Sequence, residues 1–212
     1  MKLLYAAALA CLAVTPAVAQ TAVKLDFEGA TGFVTSIANF YNGGTDSLGQ
    51  SGTNYGVSFT EQAVGLSNDE LGPYFSNAPS PITVLYAFDS TAVMNVAAGF
   101  IDRLTFSYSS SINALDAVNI YSGLNATGTL LASASLFGNA QIGCTGTSYC
   151  RFDVTSVRFA GTAKSISFGG NAPNVLFDDI TITAVPEPST YALLAVGLFA
   201  VALTVARRRR KD

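Results

Sequence analysis

The sequence predicts an all-β protein, a single antiparallel β-sandwich of the jelly-roll type with an apolar segment at each end of the chain. Two observations predict the sandwich. Short runs that alternate apolar and polar residues, rich in β-branched and aromatic side chains, recur between Gly-, Ser-, Thr- and Asn-rich turns. No stretch between the apolar ends keeps a helical period over three turns. About eight to ten short strands in a chain of this size are typical of a sandwich or jelly roll.

The first element is an N-terminal signal peptide at residues 1–19. A lysine at the second position precedes the apolar run Leu3–Val14, and an Ala-x-Ala pattern ends at Ala19. Signal peptidase is therefore expected to cut between Ala19 and Gln20. A membrane anchor is one alternative, but the run is shorter than the roughly 17–25 residues that span a bilayer. Lipoprotein cleavage before Cys11 is another, although the position three residues before it lacks a large aliphatic side chain.

The strands of the body follow at residues 20–184, a length that suits one domain. The run "LTFSYS" places Leu104, Phe106 and Tyr108 on one face and small polar residues on the other. The runs "GVSFT", "ITVLYAF", "AVNIYSG", "KSISFGG" and "VLFDDITIT" are similar. There is no internal repeat of fixed period, so each strand is a separate element of one sandwich.

The composition excludes several function classes. The body carries five basic and twelve acidic residues, a net charge of −7, so it lacks the basic patch that nucleic-acid binding requires. The chain has no histidine, which excludes Ser-His-Asp triads and histidine-containing zinc sites. An enzymatic function would therefore depend mainly on carboxylate side chains.

Two cysteines remain after signal cleavage, in the stretch "CTGTSYC". A lone pair this close, in an exported protein, predicts a disulfide between Cys144 and Cys150. A two-cysteine metal site is the alternative, but no histidine or further cysteine is present to complete its coordination.

The C-terminal segment, residues 185–212, predicts a membrane anchor. Residues 191–206 contain neither a charge nor a proline, and a basic cluster follows at residues 207–211. As a helix the apolar run is about 24 Å long, and the arginine stems can extend it toward the interfaces. Because basic residues stay on the cytoplasmic side, the predicted topology has the body outside and the tail inside.

The motif Pro186-Glu187-Pro188 keeps the chain extended just before this helix, since proline lacks an N–H and biases its predecessor away from helix. The arginines of the basic cluster behind the apolar run are Arg207, Arg208, Arg209 and Arg210. Motif, apolar run and arginines together resemble the PEP-CTERM sorting tail, which by historical naming is also labelled an ice-binding protein C-terminal domain.

The resemblance implies that an exosortase recognises these sorting residues and removes the tail. It also implies a Gram-negative, exopolysaccharide-producing host. The tail sits transiently in the inner membrane, and the processed protein is expected at the cell surface or in the extracellular matrix.

The body resembles the jelly rolls often carried in front of this tail and, more loosely, galactose-binding-like carbohydrate modules. In such modules a calcium ion often joins the first strand to the last. That resemblance implies a structural calcium site formed by Glu28 with one or both of Asp178 and Asp179, near Asp26. The simpler alternative is that these acids only keep the edge strands from pairing with other molecules.

Two functions are compatible with this pattern. The first is a non-catalytic module that binds or organises extracellular polysaccharide, with the loop residues Tyr41, Tyr55 and Tyr74 as candidate sugar-stacking platforms. The absence of tryptophan departs from a typical sugar-stacking site. A single Thr-x-Thr row, residues 181–183, does not favour ice binding.

The alternative is a secreted glycoside hydrolase or lyase that uses two carboxylates, Glu61 with Glu70 or Asp102. Such a reaction needs a defined distance between the two acids across a cleft. The sequence predicts no catalytic residue beyond these alternatives.

Overall fold

The computed structural model describes residues 21–185, together with 194–195, 197–199 and 201–202. Within residues 21–185 the chain forms ten β-strands and one short 3-10 helix, Gly169–Asn171. The strands are β1 (Thr21–Leu25), β2 (Thr35–Ser36), β3 (Val57–Phe59), β4 (Ala63–Ser67), β5 (Thr83–Ala87), β6 (Val93–Ser110), β7 (Ala114–Tyr121), β8 (Leu130–Leu136), β9 (Asp153–Ser167) and β10 (Val175–Ala184). All ladders between these strands are antiparallel, which confirms the predicted all-β, jelly-roll-like sandwich.

Hydrogen-bonded neighbours in the sheet follow the order β2-β4-β5-β10-β6-β9-β7-β8. In addition, β1 pairs with β10 and β3 pairs with β6. Two long strands, β6 and β9, belong to both layers of the sandwich. They pair with each other in both layers. Residues 100–108 of β6 pair with residues 153–163 of β9 beside β10, and residues 93–95 pair with residues 165–167, where β3 flanks β6 and β7 flanks β9. The layers are therefore joined through continuous strands and not only through loops.

Gly99 marks the place where β6 passes between the layers. The β6–β9 register shifts between Asn95 and Phe100, and Gly99 has a φ of 91°. A Cβ atom at this position would lie 2.5 Å from Thr162 Cγ2. Glycine is needed here because both the backbone conformation and the close approach of β9 exclude a side chain.

The main core lies between the layers and contains large, fully buried side chains, among them Phe27, Phe100, Phe106, Phe168 and Phe177. Phe100, Phe106 and Phe177 lie on strands, where the period-2 pattern directs them inward, and Phe27 and Phe168 follow the ends of β1 and β9. Phe168 and Phe177 contact each other with ring centroids 4.8 Å apart. Phenylalanine supplies the largest fully buried side chains of the chain, which contains no tryptophan.

The first and last strands are neighbours, as in the carbohydrate modules that the body resembles, where calcium often joins these two strands. β1 pairs with β10 from Thr21 opposite Ala184 to Leu25 opposite Ile180. The next residue, Val185, donates its N–H to Gly99 O at 2.9 Å. Within the described residues, β1 starts at Thr21, and β10 ends at Ala184, two residues before Pro186.

The predicted processing signals at both ends fall outside the described residues. At the N-terminal end this concerns the signal peptide with its cleavage site, Ala19 and Gln20. At the C-terminal end it concerns the predicted sorting residues Pro186, Glu187, Pro188, Arg207, Arg208, Arg209 and Arg210.

The described positions of the tail, 194–195, 197–199 and 201–202, are helical and exposed. In the part of the chain that the structure describes, no helix reaches the length and apolarity of a membrane span.

Candidate ligand-binding groove

A second apolar cluster lies on the outer face of the layer that contains β4, β5 and β10. It consists of the buried residues Leu66, Phe75, Val84 and Leu176. Because side chains alternate along a strand, β5 sends Leu85 and Ala87 into the main core and Val84 and Tyr86 to this outer face. Because β5 has apolar residues on both faces, its outer face must also be covered by other parts of the chain.

The first part of the cover is the loop between β4 and β5. Asn68 organises it: its Oδ1 accepts hydrogen bonds from the N–H groups of Tyr74 and Phe75, and its Nδ2 donates to Phe75 O. Asp69 Oδ1 accepts a hydrogen bond from the Tyr74 hydroxyl at 3.2 Å. The Tyr74 ring packs beside Phe33, with centroids 5.0 Å apart and planes inclined at 37°.

The second part of the cover is the loop between β8 and β9, which contains both cysteines. Ser76 N–H donates to Tyr149 O at 2.9 Å, and Asn77 Nδ2 donates to Cys150 O at 2.9 Å. Cys150 N–H in turn donates to Ala140 O at 2.8 Å. The two loops thus hold each other, and Tyr149 is fixed beside the β4–β5 loop.

An open cavity of about 450 Å³ remains between the two loops and the sheet. Its wall carries the rings of Phe33, Tyr74, Tyr86 and Tyr149, with the hydroxyl groups of Thr147 and Ser148 and the apolar side chains Val34, Leu66 and Leu176. None of its described lining residues is charged. Aromatic faces beside a few hydroxyl groups are suited to an uncharged, hydroxyl-rich ligand such as a sugar. We call this cavity the tyrosine groove.

Two phenols of the groove, those of Tyr74 and Tyr86, have a raised pKa. Burial raises the pKa of the Tyr86 hydroxyl above its ordinary value of 10.0, and the neighbouring Tyr149 adds to the increase. Partial desolvation, followed by the hydrogen bond to Asp69, raises the pKa of Tyr74 in the same direction. Tyr86 therefore keeps a proton that it can donate to a ligand oxygen, whereas the Tyr74 hydroxyl already donates its proton to Asp69.

The structure contains the predicted disulfide. Cys144 and Cys150 are bonded, with Cα atoms 5.9 Å apart, within the range that a disulfide requires. The bridge closes the loop directly beside Tyr149. The two cysteines therefore act on the groove through the loop that they close, and the alternative two-cysteine metal site is excluded by the bond.

The three residues of the predicted calcium site have other partners. Glu28 Oε1 accepts hydrogen bonds from the N–H groups of Ile82 and Thr83, each at 3.0 Å. Asp179 Oδ1 lies 2.8 Å from Lys24 Nζ. Among the described residues, no group of three or more His, Cys, Asp or Glu side chains is arranged to hold a metal ion.

Asp178 is the third of these residues and is fully buried. Its carboxylate accepts hydrogen bonds from Ser80 N–H at 2.8 Å, from the Ser80 hydroxyl at 2.6 Å and from Asp179 N–H at 2.7 Å. Asp178 and Asp179 lie at a bulge, with a φ of 51° at Asp179 and a register shift before Thr181. In this arrangement protein groups contact both oxygens of Asp178 and one oxygen each of Glu28 and Asp179, and calcium would have to compete with these contacts.

The structure separates the candidate tyrosines. Tyr74 lines the groove, whereas Tyr41 is buried in the core, where its hydroxyl oxygen accepts a hydrogen bond from Phe27 N–H at 2.8 Å. The hypothesis that Tyr41 is a sugar platform is therefore wrong, because its ring has no free face. Tyr55 is 38% exposed and stacks on Tyr41, with centroids 6.0 Å apart.

The candidate catalytic acids lie in three different surroundings. Asp102 is at a bulge of β6 and is paired with Arg158 at 3.2 Å and with Arg103 at 3.8 Å. Glu70 is exposed in the loop after β4, and Glu61 lies just before β4. None of the three lines the tyrosine groove.

Three residues of the groove escaped prediction from the sequence: Phe33, Tyr86 and Tyr149. For Tyr86 a signal was present, since "ITVLYAF" is apolar at consecutive positions and so predicts a strand that is buried on both faces. Tyr149 lies in the stretch between the two cysteines, where a disulfide restricts the loop. Phe33 carries no such signal, because its position depends on contact with Tyr74.

Comparison with solved structures gives neighbours of low sequence identity. The K2 cleaved adhesin domain of Lys-gingipain is 15% identical, with a TM-score of 0.45 over 77% of this chain and 99% of that domain. The K3 domain of Lys-gingipain from Porphyromonas gingivalis gives 15% identity and a TM-score of 0.35 over 76% and 98%. CsCBM6-3 from Clostridium stercorarium, solved with cellobiose, gives 15% and 0.36 over 56% and 88%. No curated protein matches the chain.

The family comparison concerns the C-terminal end. The PEP-CTERM protein-sorting motif matches residues 184–211. This range starts at the last residue of β10 and includes the Pro-Glu-Pro motif, the apolar run and the arginine cluster. The motif indicates export and a membrane-anchored sorting tail that is handled by an exosortase. The chain therefore carries a PEP-CTERM protein-sorting motif directly behind a jelly-roll-like β-sandwich.

Proposed function

We propose that the protein is an exported, non-catalytic module that binds extracellular polysaccharide in the tyrosine groove. The observation that carries the proposal is the groove itself, an open cavity of about 450 Å³ with three tyrosine rings and two hydroxyl side chains in its wall. Sugar rings have apolar faces that pack on aromatic rings, and hydroxyl groups at their edges that exchange hydrogen bonds with phenols.

The surroundings of the groove support binding without catalysis. Hydrolysis of a glycosidic bond requires two acids on either side of the bond, and none of the described lining residues of the groove is an acid. The disulfide and the contacts between the two covering loops hold the rings in place before a ligand enters. A preformed site loses less conformational entropy on binding.

Export and sorting give this binding function its place outside the cell. In the proposed topology the body is outside and the tail crosses the inner membrane until signal peptidase and exosortase have acted. The processed body then reaches the cell surface or the matrix of a Gram-negative bacterium, where polysaccharide is the abundant ligand.

The test is binding of the mature protein to a panel of soluble bacterial and plant polysaccharides by isothermal titration calorimetry. We expect at least one neutral polysaccharide to bind, and Tyr149→Ala or Tyr86→Ala to weaken its affinity by roughly ten-fold or more, since a ring stacked on one aromatic side chain is worth about 1–3 kcal/mol. Tyr55→Ala is the matched control, because Tyr55 is exposed but lies outside the groove.

Two results would contradict the proposal. One is a complete absence of binding across the panel. The other is equal loss of affinity in the Tyr55→Ala control, which would place the ligand elsewhere. Reducing ends should be measured in the same samples: their release from a bound polysaccharide would favour the alternative function, a carboxylate-dependent glycoside hydrolase or lyase.

A further inference from the structure

A second cavity, of about 570 Å³, adjoins the tyrosine groove on the same face of the sheet. Val34 lines both cavities. The strand register explains the contact between them: Ser36 lies opposite Val64, and Val64 lies opposite Tyr86. The rings of Tyr86 and Phe88, two residues apart on β5 and just after it, have centroids 6.5 Å apart and connect one cavity with the other.

The second cavity differs from the groove in its charge. Asp46 and Glu61 contribute two carboxylates to its wall, together with Ser36, Ser47 and Gln62, and Phe88 contributes a ring that is 54% exposed. No lysine or arginine is among its described lining residues. We call this cavity the acidic subsite.

Asp46 has a buried oxygen without a partner. The side chain is only 5% exposed, and its Oδ1 accepts hydrogen bonds from Leu48 N–H at 2.9 Å and Gln50 N–H at 2.8 Å. Its Oδ2 is buried and has no hydrogen-bond partner among the described residues. The Ser36 hydroxyl in the same wall is also buried and unpartnered there.

A buried carboxylate oxygen without a donor is costly, and such groups in folded proteins usually have an explanation in a ligand, an ion or a water molecule. The partner that lowers the cost most is a positively charged hydrogen-bond donor. Glu61 in the same wall favours such a donor and disfavours an anionic sugar, because it adds a second negative charge. The exposed Phe88 ring offers the apolar face that a sugar ring contacts.

We propose that the two cavities are adjacent subsites of one groove for a glycan chain, and that the acidic subsite takes a sugar residue with a free amino group. The tyrosine groove contacts the apolar ring face of a neighbouring residue of the same chain. This inference rests on the proposed polysaccharide-binding function and specifies its ligand: a partly or fully N-deacetylated amino-sugar polymer, and not a polyuronate.

The experiment compares hexamers of glucosamine and of N-acetylglucosamine, which differ in the free amino group. Titrations use the full chain in a detergent without a sugar headgroup, at pH 6 with EDTA. We expect the glucosamine hexamer to bind at least about ten-fold more tightly, since a hydrogen bond to a charged group is worth about a factor of ten or more. Asp46→Asn should remove that preference.

Asp46→Asn is suited to this test because an asparagine keeps the Oδ1 acceptor for Leu48 and Gln50 and replaces only the unpartnered oxygen. The exposed Glu70→Gln is the matched control for the loss of one negative charge. A lysine hexamer measures attraction of any polycation to the acidic body. We expect the lysine hexamer to bind weakly, and its affinity to be equal in the Asp46→Asn and Glu70→Gln variants.

The outcomes separate the two proposals. If both hexamers bind equally and Asp46→Asn has no effect, a water molecule or nothing fills the acidic subsite, and the amino-sugar inference is overturned while sugar binding stands. If Glu70→Gln removes the preference as well, the attraction is general and the inference is also overturned. If neither hexamer nor any polysaccharide binds, the proposed function and this inference are both wrong.

Discussion

Individual residues in this protein show how a polar group is kept inside an apolar sandwich. Asp178 is fully buried on β10, and Ser80 and the Asp179 N–H donate to it. The hydrogen bonds favour the charged form, but desolvation favours the neutral form more strongly. Burial therefore raises the pKa of Asp178 to about 6.

The raised pKa predicts that Asp178 makes the protein less stable as the pH rises from about 4 to 6. Between the ordinary pKa of 3.8 and the folded-state value of about 6, the folded protein holds a proton that the unfolded chain has released. Its free energy of unfolding therefore falls with rising pH, by roughly 3 kcal/mol at most for this group.

Urea titrations of the mature protein and of Asp178→Asn at several pH values between 4 and 7 measure this contribution. The free energy of unfolding of the wild type minus that of the variant should decrease as the pH rises. A difference that stays constant across this range would show that Asp178 titrates normally.

Calcium binding near Glu28, Asp178 and Asp179 stays a prediction. It requires the ion to replace the Lys24 ammonium beside Asp179. If it occurs, the melting temperature of the mature protein should be higher in millimolar calcium than in EDTA, because the ion binds only the folded state. Asp179→Asn should reduce the increase and the exposed Glu70→Gln should leave it unchanged. Equal midpoints in both solutions would remove the hypothesis.

Among the larger elements, the disulfide loop is expected to affect both the stability of the fold and ligand binding in the groove. Mutating both cysteines to serine is expected to lower the free energy of unfolding by about 2.4 kcal/mol, the chain-entropy value for so short a loop. Ligand affinity should also decrease, because Tyr149 directly precedes Cys150. Thiol labelling of the native exported protein should find no free cysteine. Two accessible thiols in that protein would refute the assignment of the bridge.

The crossing of β6 between the layers predicts a difference between two glycines. Gly99→Ala places a Cβ 2.5 Å from Thr162 Cγ2 at a φ of 91°, whereas Gly161→Ala meets a similar φ of 86° with no atom within 4 Å. Both variants have backbone strain of roughly 1–2 kcal/mol. Only Gly99→Ala has the added clash, which costs roughly 1–3 kcal/mol more. Equal denaturation midpoints of the two variants would show that β9 moves away from the added methyl group without loss of stability.

At the scale of the whole molecule, both ends of the described body lie on one pair of neighbouring strands. Thr21 pairs with Ala184, so the predicted signal cleavage site and the Pro-Glu-Pro motif adjoin the same pair of strands. β10 is also a central strand, with β1, β5 and β6 as neighbours. The fold is therefore complete only when the chain is present up to the sorting motif.

Mass spectrometry of the protein released by an exosortase-containing host tests the processing scheme. We expect an N-terminus at Gln20 and a C-terminus in the Pro-Glu-Pro region, with β1 and β10 intact. Released protein that still contains Arg207–Lys211 would contradict removal of the tail. A C-terminus before Ala184 would contradict the idea that β10 is kept whole.

Local patterns in the sequence are sufficient for the all-β class, the disulfide and the sorting tail. Each depends on neighbours along the chain: alternation within a strand, two cysteines six residues apart, or a proline motif before an apolar run and arginines. The tyrosine groove could not be predicted in this way. It joins Phe33, Tyr74, Tyr86 and Tyr149 from four separate segments, and their meeting depends on strand order and register. Tertiary packing also decided that Tyr41 belongs to the core and that Lys24 and backbone amides contact the acids of the terminal strands, because burial and hydrogen-bond partners are set by the whole fold.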